Sequence, residues 1–480
     1  MTGTELPTAQ ARPRDASRAG RLIGVPAAFE PARIVEVDVS QPLPAVAAAE
    51  AGEPQPVCVV VRLCGQPVGM VLLPGPCAPA ALAEAVDGEL RPALADLAPA
   101  HGLAPTALTA SGLPHPSCPV RDHREAVRGS GPRITVVVCT RERPESLQRC
   151  LDSIAALDYH DLEILVVDNA PRTEATRELC AAAARSVPLR YVREPAAGLS
   201  RARNTAIREA SGEVIAFLDD DERADPDWLV ALAAEFQDPR VGVVSGLVLP
   251  AELQTQAQAM FETFGGHSKG RGFARDVFDE DYQRRVQSPL YPRPAFGVGA
   301  NMAFRVGALH AIDGFDPHLG AGSPTKGAED TAAITEVMLA GWTAVYAPDA
   351  VTWHYHRRDD NALHEQLDGY QRGLGAFYVS LLRRRPSRAL AMLKLPLLAF
   401  ADTRSASAAG ASTGADAPAG AADAAAAGAP DAARSPTSPA SLLQIARGAG
   451  IYLRAAAREP RGPRLVSAAG SRSAPSRRRR

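Results

Sequence analysis

Three consecutive aspartates, Asp219–Asp221, follow directly on the apolar run Val214-Ile-Ala-Phe-Leu218. A run with no polar face predicts a strand buried on both sides, as in a parallel sheet covered by helices. Carboxylates crowded at its end repel one another unless a cation neutralises them. In open α/β sheets ligands gather beyond the carboxyl ends of strands, so this junction predicts a polar crevice. The plainer reading is a solvated acidic turn ahead of a helix at 226–236, with Asp225 as its cap and Pro226 at its first position. That reading accounts for Asp225 but not for three acids abutting a buried strand. A hard divalent ion shared with substrate phosphate oxygens accounts for those three.

The surrounding pattern repeats the same grammar. A buried strand, Ile134–Cys139, runs into the loop Thr140-Arg-Glu-Arg143. A helix opens at Pro144, with Leu147, Leu151 and Ile154 on one face. A second buried strand, Glu163–Val167, ends at Asp168-Asn169. Strand, helix and strand occupy about 30 residues, the length of a βαβ crossover. Further elements are predicted as helix Glu174–Arg185, strand Leu189–Arg193 and helix Arg201–Ala210, capped by Ser200 and stopped by Gly212. Gly327-Ala-Glu329-Asp330 opens another helix, where first-turn carboxylates gain from the helix dipole; one facing the crevice could instead serve as a general base. Trp353, His354 and His356 end the strand beyond it.

Outside this core the chain divides by composition. Residues 1–30 are polar and read as flexible; 31–100 form a small α/β accessory domain; 101–131, rich in Pro, Ser and Gly, read as a linker. Residues 132–356 are the larger α/β unit that carries these junctions and 357–400 a basic amphipathic helical flank. The 401–440 segment, without a Val, Leu, Ile, Met or aromatic residue, is expected to be a disordered linker. Residues 441–480 form a basic tail of ten arginines against one acid, so the net charge of −2 combines +9 there with −11 elsewhere. The seven cysteines include no CxxC pair, which points to free thiols rather than zinc or disulfides. His115, Cys118 and His123 in the linker lack a fourth ligand. The first 20 residues have no apolar core, and no run of 18 apolar residues occurs, so neither a signal peptide nor a membrane span is expected.

Taken in order, strand–Thr140-Arg, strand–Asp168-Asn169, Gly198-Leu-Ser-Arg-Ala-Arg-Asn204, Phe217-Leu-Asp-Asp-Asp-Glu222, Gly299-Ala-Asn-Met-Ala-Phe-Arg305, Gly314-Phe-Asp316 and Gly327-Ala-Glu-Asp330 form a specific set. It resembles the family 2 glycosyltransferases, inverting GT-A-fold enzymes that use nucleotide sugars, over about residues 132–356. The resemblance implies a GT-A, Rossmann-like α/β domain. It places Thr140, Arg141, Asp168, Asn169, Arg203, Asn204, Asp219 and Asp220 around the nucleotide, with Asp168 accepting from the base as in uridine-recognising members. It makes Asp219, Asp221 and His354 ligands of Mg²⁺ or Mn²⁺, Asp330 the catalytic base and Glu329 its neighbour. The family's processive members carry Gln-x-x-Arg-Trp past the Glu-Asp pair. Gln366-Leu-Asp-Gly-Tyr-Gln371-Arg-Gly-Leu has none, which implies transfer of one sugar or a few.

The expected partners are a nucleotide-sugar donor of the UDP type and a glycan or lipid-linked hydroxyl acceptor. The basic flank is read first as a helix packed on the catalytic domain. As an interfacial element it would touch an anionic membrane surface, giving a cytoplasmic protein peripheral on the inner face of the plasma membrane. Nucleic acid is excluded as a partner, since no reader module is present. Two rivals stay open: a nucleotidyltransferase, which has no job for Asp330, and a non-catalytic nucleotide-sugar-binding or membrane-scaffold protein.

Overall fold

The computed structural model describes residues 28–48, 55–104, 106–113, 117–263, 265–267, 271–285, 298–392 and 439–458. The predicted disordered linker, all but the end of the predicted flexible N-terminus and the tail beyond 458 lie outside these. Two sheets carry the molecule. The smaller has the order β1 (Arg33–Asp38), β2 (Val57–Leu63), β3 (Gln66–Leu73), with β1 parallel and β3 antiparallel to β2. Helix α1 (Pro79–Leu97) covers one face through Leu82, Val86, Leu90 and Leu94, a helical stripe that packs on Val57, Val59 and Val61.

Helix α2 (Pro119–Ser130) lies in the stretch expected to be a linker. It escaped the apolar pattern because its buried residues are just Val127 and Arg124. Ion pairs hold it: Arg124 to Asp349 at 3.0 Å and Arg128 to Asp227 at 2.8 Å.

The larger sheet is built from β4 (Ile134–Thr140), β5 (Leu162–Asn169), β6 (Leu189–Glu194), β7 (Val214–Asp219), β8 (Glu222–Ala224), β9 (Val241–Pro250), β10 (Asp276–Phe278), β11 (Asn301–Arg305) and β12 (Thr343–His354). Its order is β10-β12-β9-β11-β7-β4-β5-β6, with β8 paired to β12. Strands β7, β4, β5 and β6 are parallel, and β11 is antiparallel to both its neighbours. Helices α3 (Pro144–Ala155), α4 (Ala175–Ala183) and α6 (Trp228–Glu235) contribute to the core on one face. Helix α5 (Leu199–Glu209) and, beyond the short helices α7 (Gln256–Thr263) and α8 (Glu280–Arg285), α9 (Val306–Ala311) and α10 (Glu329–Leu339) build the other. Alternation along the strands feeds both cores: Val136 and Val138 enter the first, Val137 the second.

Two expected caps are replaced. Helix α5 starts one residue earlier than its predicted cap, so Ser200 sits inside it and its hydroxyl donates to the Leu319 carbonyl at 2.8 Å; Gly198, at φ +133°, precedes the helix. Helix α6 starts at Trp228, and Asp225 is drawn away to Arg62 of the small sheet at 2.5 Å and Trp353 Nε1 at 3.3 Å. The two sheets are thereby tied by a buried ion pair. Around it Cys58, Val60 and Met70 pack against Leu247, Leu249 and Trp353.

Helix α11 (Asp360–Arg384) packs on α10 and α7 with Leu363, Ala376, Phe377 and Leu381 buried. A last helix, Pro439–Arg458, lies along it with Tyr452 and Ala456 buried. Among the described residues no helix is long and apolar enough to cross a membrane.

Candidate functional site

Strand register brings the sequence-distant acids together. Thr140 pairs with Asp168 across β4 and β5, and Cys139 with Asp219 across β4 and β7, so three carboxyl ends share one edge. There a cleft of about 330 Å³ opens, lined by Thr140, Arg141, Asn169, the three aspartates and His354. Arg143, His267, Arg357, Gln366 and Tyr370 complete it.

Arg143 bridges the aspartates, donating to Asp220 Oδ1 at 2.6 Å and Asp221 Oδ2 at 2.9 Å. Thr140 Oγ1 donates to Asp220 Oδ2 at 2.7 Å. Burial, reinforced by the neighbouring carboxylates and opposed by Arg203, pushes the Asp219 carboxyl up to about 7. Burial also lifts Asp220, to about 6, against the pull of Arg143. Asp221 is different. Burial opposes its ionisation, yet the His354 imidazole when it carries its second proton, together with the Arg143 guanidinium, holds it well below the usual carboxylate range.

His354 heads a relay. Its Nδ1 lies 2.7 Å from His356 Nδ1, and His356 Nε2 lies 2.6 Å from Glu262 Oε1. An ionised Glu262 only accepts, so His356 carries its proton on Nε2 and presents the Nδ1 lone pair. His354 then donates from Nδ1, which leaves its Nε2 lone pair turned toward Asp221 Oδ1, 3.4 Å away. Burial lowers the His354 pKa and favours this neutral form. A lone pair facing a carboxylate is repulsive until a cation sits between them. The residues present therefore fit a hard or borderline divalent ion held by Asp221 and His354, with Asp219 beside them.

Arg203 is not a cleft residue. Its side chain is 1% exposed and donates to Glu329 Oε1 at 2.9 Å, Gly299 O at 3.0 Å and Asp219 Oδ1 at 3.4 Å, between the rings of Phe217 and Phe315. It ties Asp219 to the Glu-Asp pair from beneath, rather than reaching a nucleotide. Asn204 exchanges two hydrogen bonds with the Phe315 backbone at 2.8 and 2.9 Å and also lies off the cleft. Asn169 lines the cleft, but its amide is taken up by Ala196 O and Gly198 N. These three set the shape of the loops around the crevice.

Asp168 is fully buried. Its Oδ2 accepts from Tyr191 Oη at 2.9 Å, and its Oδ1 has no hydrogen-bond partner among the described residues. Burial raises its pKa. Asp330 opens α10 with Oδ2 accepting from Gly299 N at 2.7 Å and Oδ1 from Thr331 N at 2.6 Å. Glu329 is buried beside it, and burial followed by the Asp330 charge raises its pKa. The turn before α10 is strained, with Lys326 at φ +66° and Ala328 at +68°, a cost met where backbone must aim functional side chains.

The functional candidates that sequence reading missed are Arg143, His267, Gln366 and Tyr370. Arg143 stood in the quoted loop, and its position before the helix proline was the one available signal. The others arrive from the turn after α7 and from α11, too far along the chain for spacing to reveal them.

A family model described as glycosyl transferase family 2 matches residues 135–312. A succinoglycan biosynthesis protein of Rhizobium meliloti is 35% identical over 223 residues, 45% of this chain and 65% of its own length. An N-acetylglucosaminyltransferase of the same organism is 26% identical over 46% of this chain and 50% of its own length. The chain thus spans about half to two thirds of the length of these relatives. A mannosyltransferase from Pyrobaculum calidifontis, solved with GDP-Man and Mn²⁺, superposes with a TM-score of 0.43 at 23% identity, over 68% of this chain and 88% of that one. The matched segment 135–312 holds every strand that ends in the crevice's aspartates, and over that segment the chain carries a family 2 glycosyltransferase domain.

Proposed function

We propose that the chain transfers a sugar from a nucleoside-diphosphate donor to a hydroxyl acceptor, with inversion, in the assembly of a polysaccharide. The observation that carries this reading is the crevice itself. Three aspartates at one strand end face a histidine lone pair, and a first-turn carboxylate on α10 adjoins them through Arg203 and Gly299.

Asp221 and His354 would hold Mg²⁺ or Mn²⁺, with Asp219 or Asp220 reaching the same ion or the ribose. Such an ion supplies charge neutralisation to the departing diphosphate. Asp168 Oδ1, buried and without a partner among the described residues, suits an N–H of the base, which favours a uridine donor; Thr140 and Arg141, which line the cleft, would run from base to phosphates. Asp330 would take the acceptor's proton as the oxygen attacks the anomeric carbon from the face opposite the diphosphate. The missing Gln-x-x-Arg-Trp element supports one or a few transfers per encounter. A lipid-linked acceptor would place the enzyme at the cytoplasmic side of a membrane, where the basic tail adds attraction.

A thermal-shift screen of nucleotide sugars with Mn²⁺ and Mg²⁺ tests the donor. Asp221→Ala should abolish divalent-dependent donor binding in calorimetry, and undiminished binding would overturn the metal assignment. Asp330→Asn should bind donor normally while transfer falls by about 10²–10⁴-fold. Wild-type turnover in that variant would move the base elsewhere.

A further inference from the structure

Away from the crevice, three residues of the accessory part converge that no short motif links. Cys64 sits in the turn between β2 and β3, His101 ends the 3₁₀ turn Ala98–His101, and Cys118 immediately precedes α2. Their ligand atoms all lie within 4.8 Å of one another, and His101 Nδ1 is 3.1 Å from Cys118 Sγ. His101 and Cys118 are fully buried, whereas Cys64 is partly exposed.

The hydrogen bonds fix which face His101 presents. Gln66 Nε2 donates to Asp349 Oδ1 at 3.0 Å, so Gln66 must accept through Oε1. That oxygen is 2.7 Å from His101 Nε2, which therefore carries the ring proton. The Nδ1 lone pair is then directed at the two sulfurs. An imidazole whose far N–H is anchored to an amide oxygen, here of an amide whose NH2 donates to the Asp349 carboxylate, has the usual outer support of a metal-ligating histidine. The sulfurs are supported too. Cys64 is held at φ +48° by its N–H on Asp38 Oδ1 at 3.1 Å and its carbonyl on Arg124 Nη1 at 3.2 Å, and Ser40 hydrogen-bonds its thiol.

We propose that Cys64, His101 and Cys118 form a zinc site, separate from the catalytic crevice. Two thiolates and one imidazole are a soft N/S set with tetrahedral preference, and the exposed side at Cys64 leaves the fourth position to water. On binding, each thiol gives its proton to solvent and no electrons move. The site would staple the β2–β3 turn to the start of α2, whose Arg124 and Arg128 grip Asp349 and Asp227 of the catalytic part. It would thus fix the seating of one sheet on the other. It does not depend on the proposed sugar transfer.

The test uses the full chain purified under reducing conditions with zinc supplied. Elemental analysis should find about one zinc per chain that survives gel filtration in excess Mg²⁺. Cobalt exchanged into the site should show sulfur-to-metal charge-transfer absorption, a signature that the oxygen and nitrogen ligands of the crevice cannot give. Asp221→Asn should keep the zinc and Cys118→Ser should lose it. The wild-type cobalt spectrum needs no variant, so a poorly folding Cys118→Ser cannot obscure the result. Zinc at background with no charge-transfer band overturns the proposal. So does undiminished zinc in Cys118→Ser, or an intact mass showing Cys64 and Cys118 joined as a disulfide in protein isolated without added oxidant.

Discussion

The Arg203 guanidinium is buried, and its charge is paired with Glu329 and Asp219. Removing one partner of such a buried pair typically costs about 3–5 kcal/mol, because the remaining charge loses its compensation without regaining water. Arg203→Met should therefore lower unfolding free energy in urea by that order. If Arg203 instead contacted donor phosphates, the variant would keep its stability and lose donor affinity. Gly299 reports on the same knot. A Cβ there would meet Asp330 Cβ at 3.1 Å and Arg203 Nη2 at 3.3 Å, so Gly299→Ala should push Asp330 aside. We expect kcat to fall at least about tenfold while donor Kd in calorimetry stays within twofold, since a carboxylate moved by a fraction of an ångström loses proton-transfer geometry first. Equal losses in both would place Gly299 in donor binding instead.

Elements whose signal is their own apolar run were legible in sequence: β4, β5 and β7 and the acids at their ends follow from hydrophobicity alone. Helix α2 was not, because ion pairs to residues 99 and 225 positions away hold it. Arg203 and Asn204 were found as residues, but the structure places them beneath the crevice rather than along it, since burial under a crevice and exposure within it leave the same mark on a motif. Glu163 shows how the parallel core is closed at its other end. It accepts from Thr135 Oγ1, Ser211 N and Oγ, and Arg190, joining β4, β5, β6 and the turn before β7. Burial would raise its carboxyl, but these bonds hold it down at about 2. A depressed pKa stabilises the fold above the unfolded value of about 4.5 and loses that contribution as pH falls toward the folded value. Stability should thus drop between about pH 4.5 and about pH 2 on account of this group, and Glu163→Gln should flatten that part of the curve. Denaturant titrations at several pH values measure it; an unchanged slope in the variant would show that the bonds are not coupled to folding.

Two contacts integrate the molecule around the family 2 domain. The small sheet is seated by Arg62 and Asp225, and the C-terminal helix closes the opposite side. Tyr452 Oη and Ser380 Oγ both donate to buried Asp316, at 2.7 and 2.5 Å, so a carboxylate of the catalytic sheet's loop anchors two helices at once. Those helices approach closely because glycines face each other's backbone: a Cβ on Gly375 would collide with the Ile445 carbonyl, and one on Gly448 with the Arg372 carbonyl. Helix α11 also carries Gln366 and Tyr370 into the cleft, which makes the C-terminal helix a brace for one wall of the active crevice. Gly448→Leu should force the pair apart, since backbone cannot yield as a side chain end can. The expected results are faster proteolysis ahead of Pro439 and a raised KM for the acceptor, with donor affinity kept, because Asp221, in the turn between β7 and β8, and His354, at the end of β12, lie on elements the helix does not pack on. Tyr452→Phe separates the two causes. It removes one hydrogen bond from Asp316 while leaving the glycine contact intact, so it should cost about 1–3 kcal/mol of stability without detaching the helix. Unaltered proteolysis and acceptor kinetics in Gly448→Leu would mean that the C-terminal helix only covers the wall and does not hold it in place.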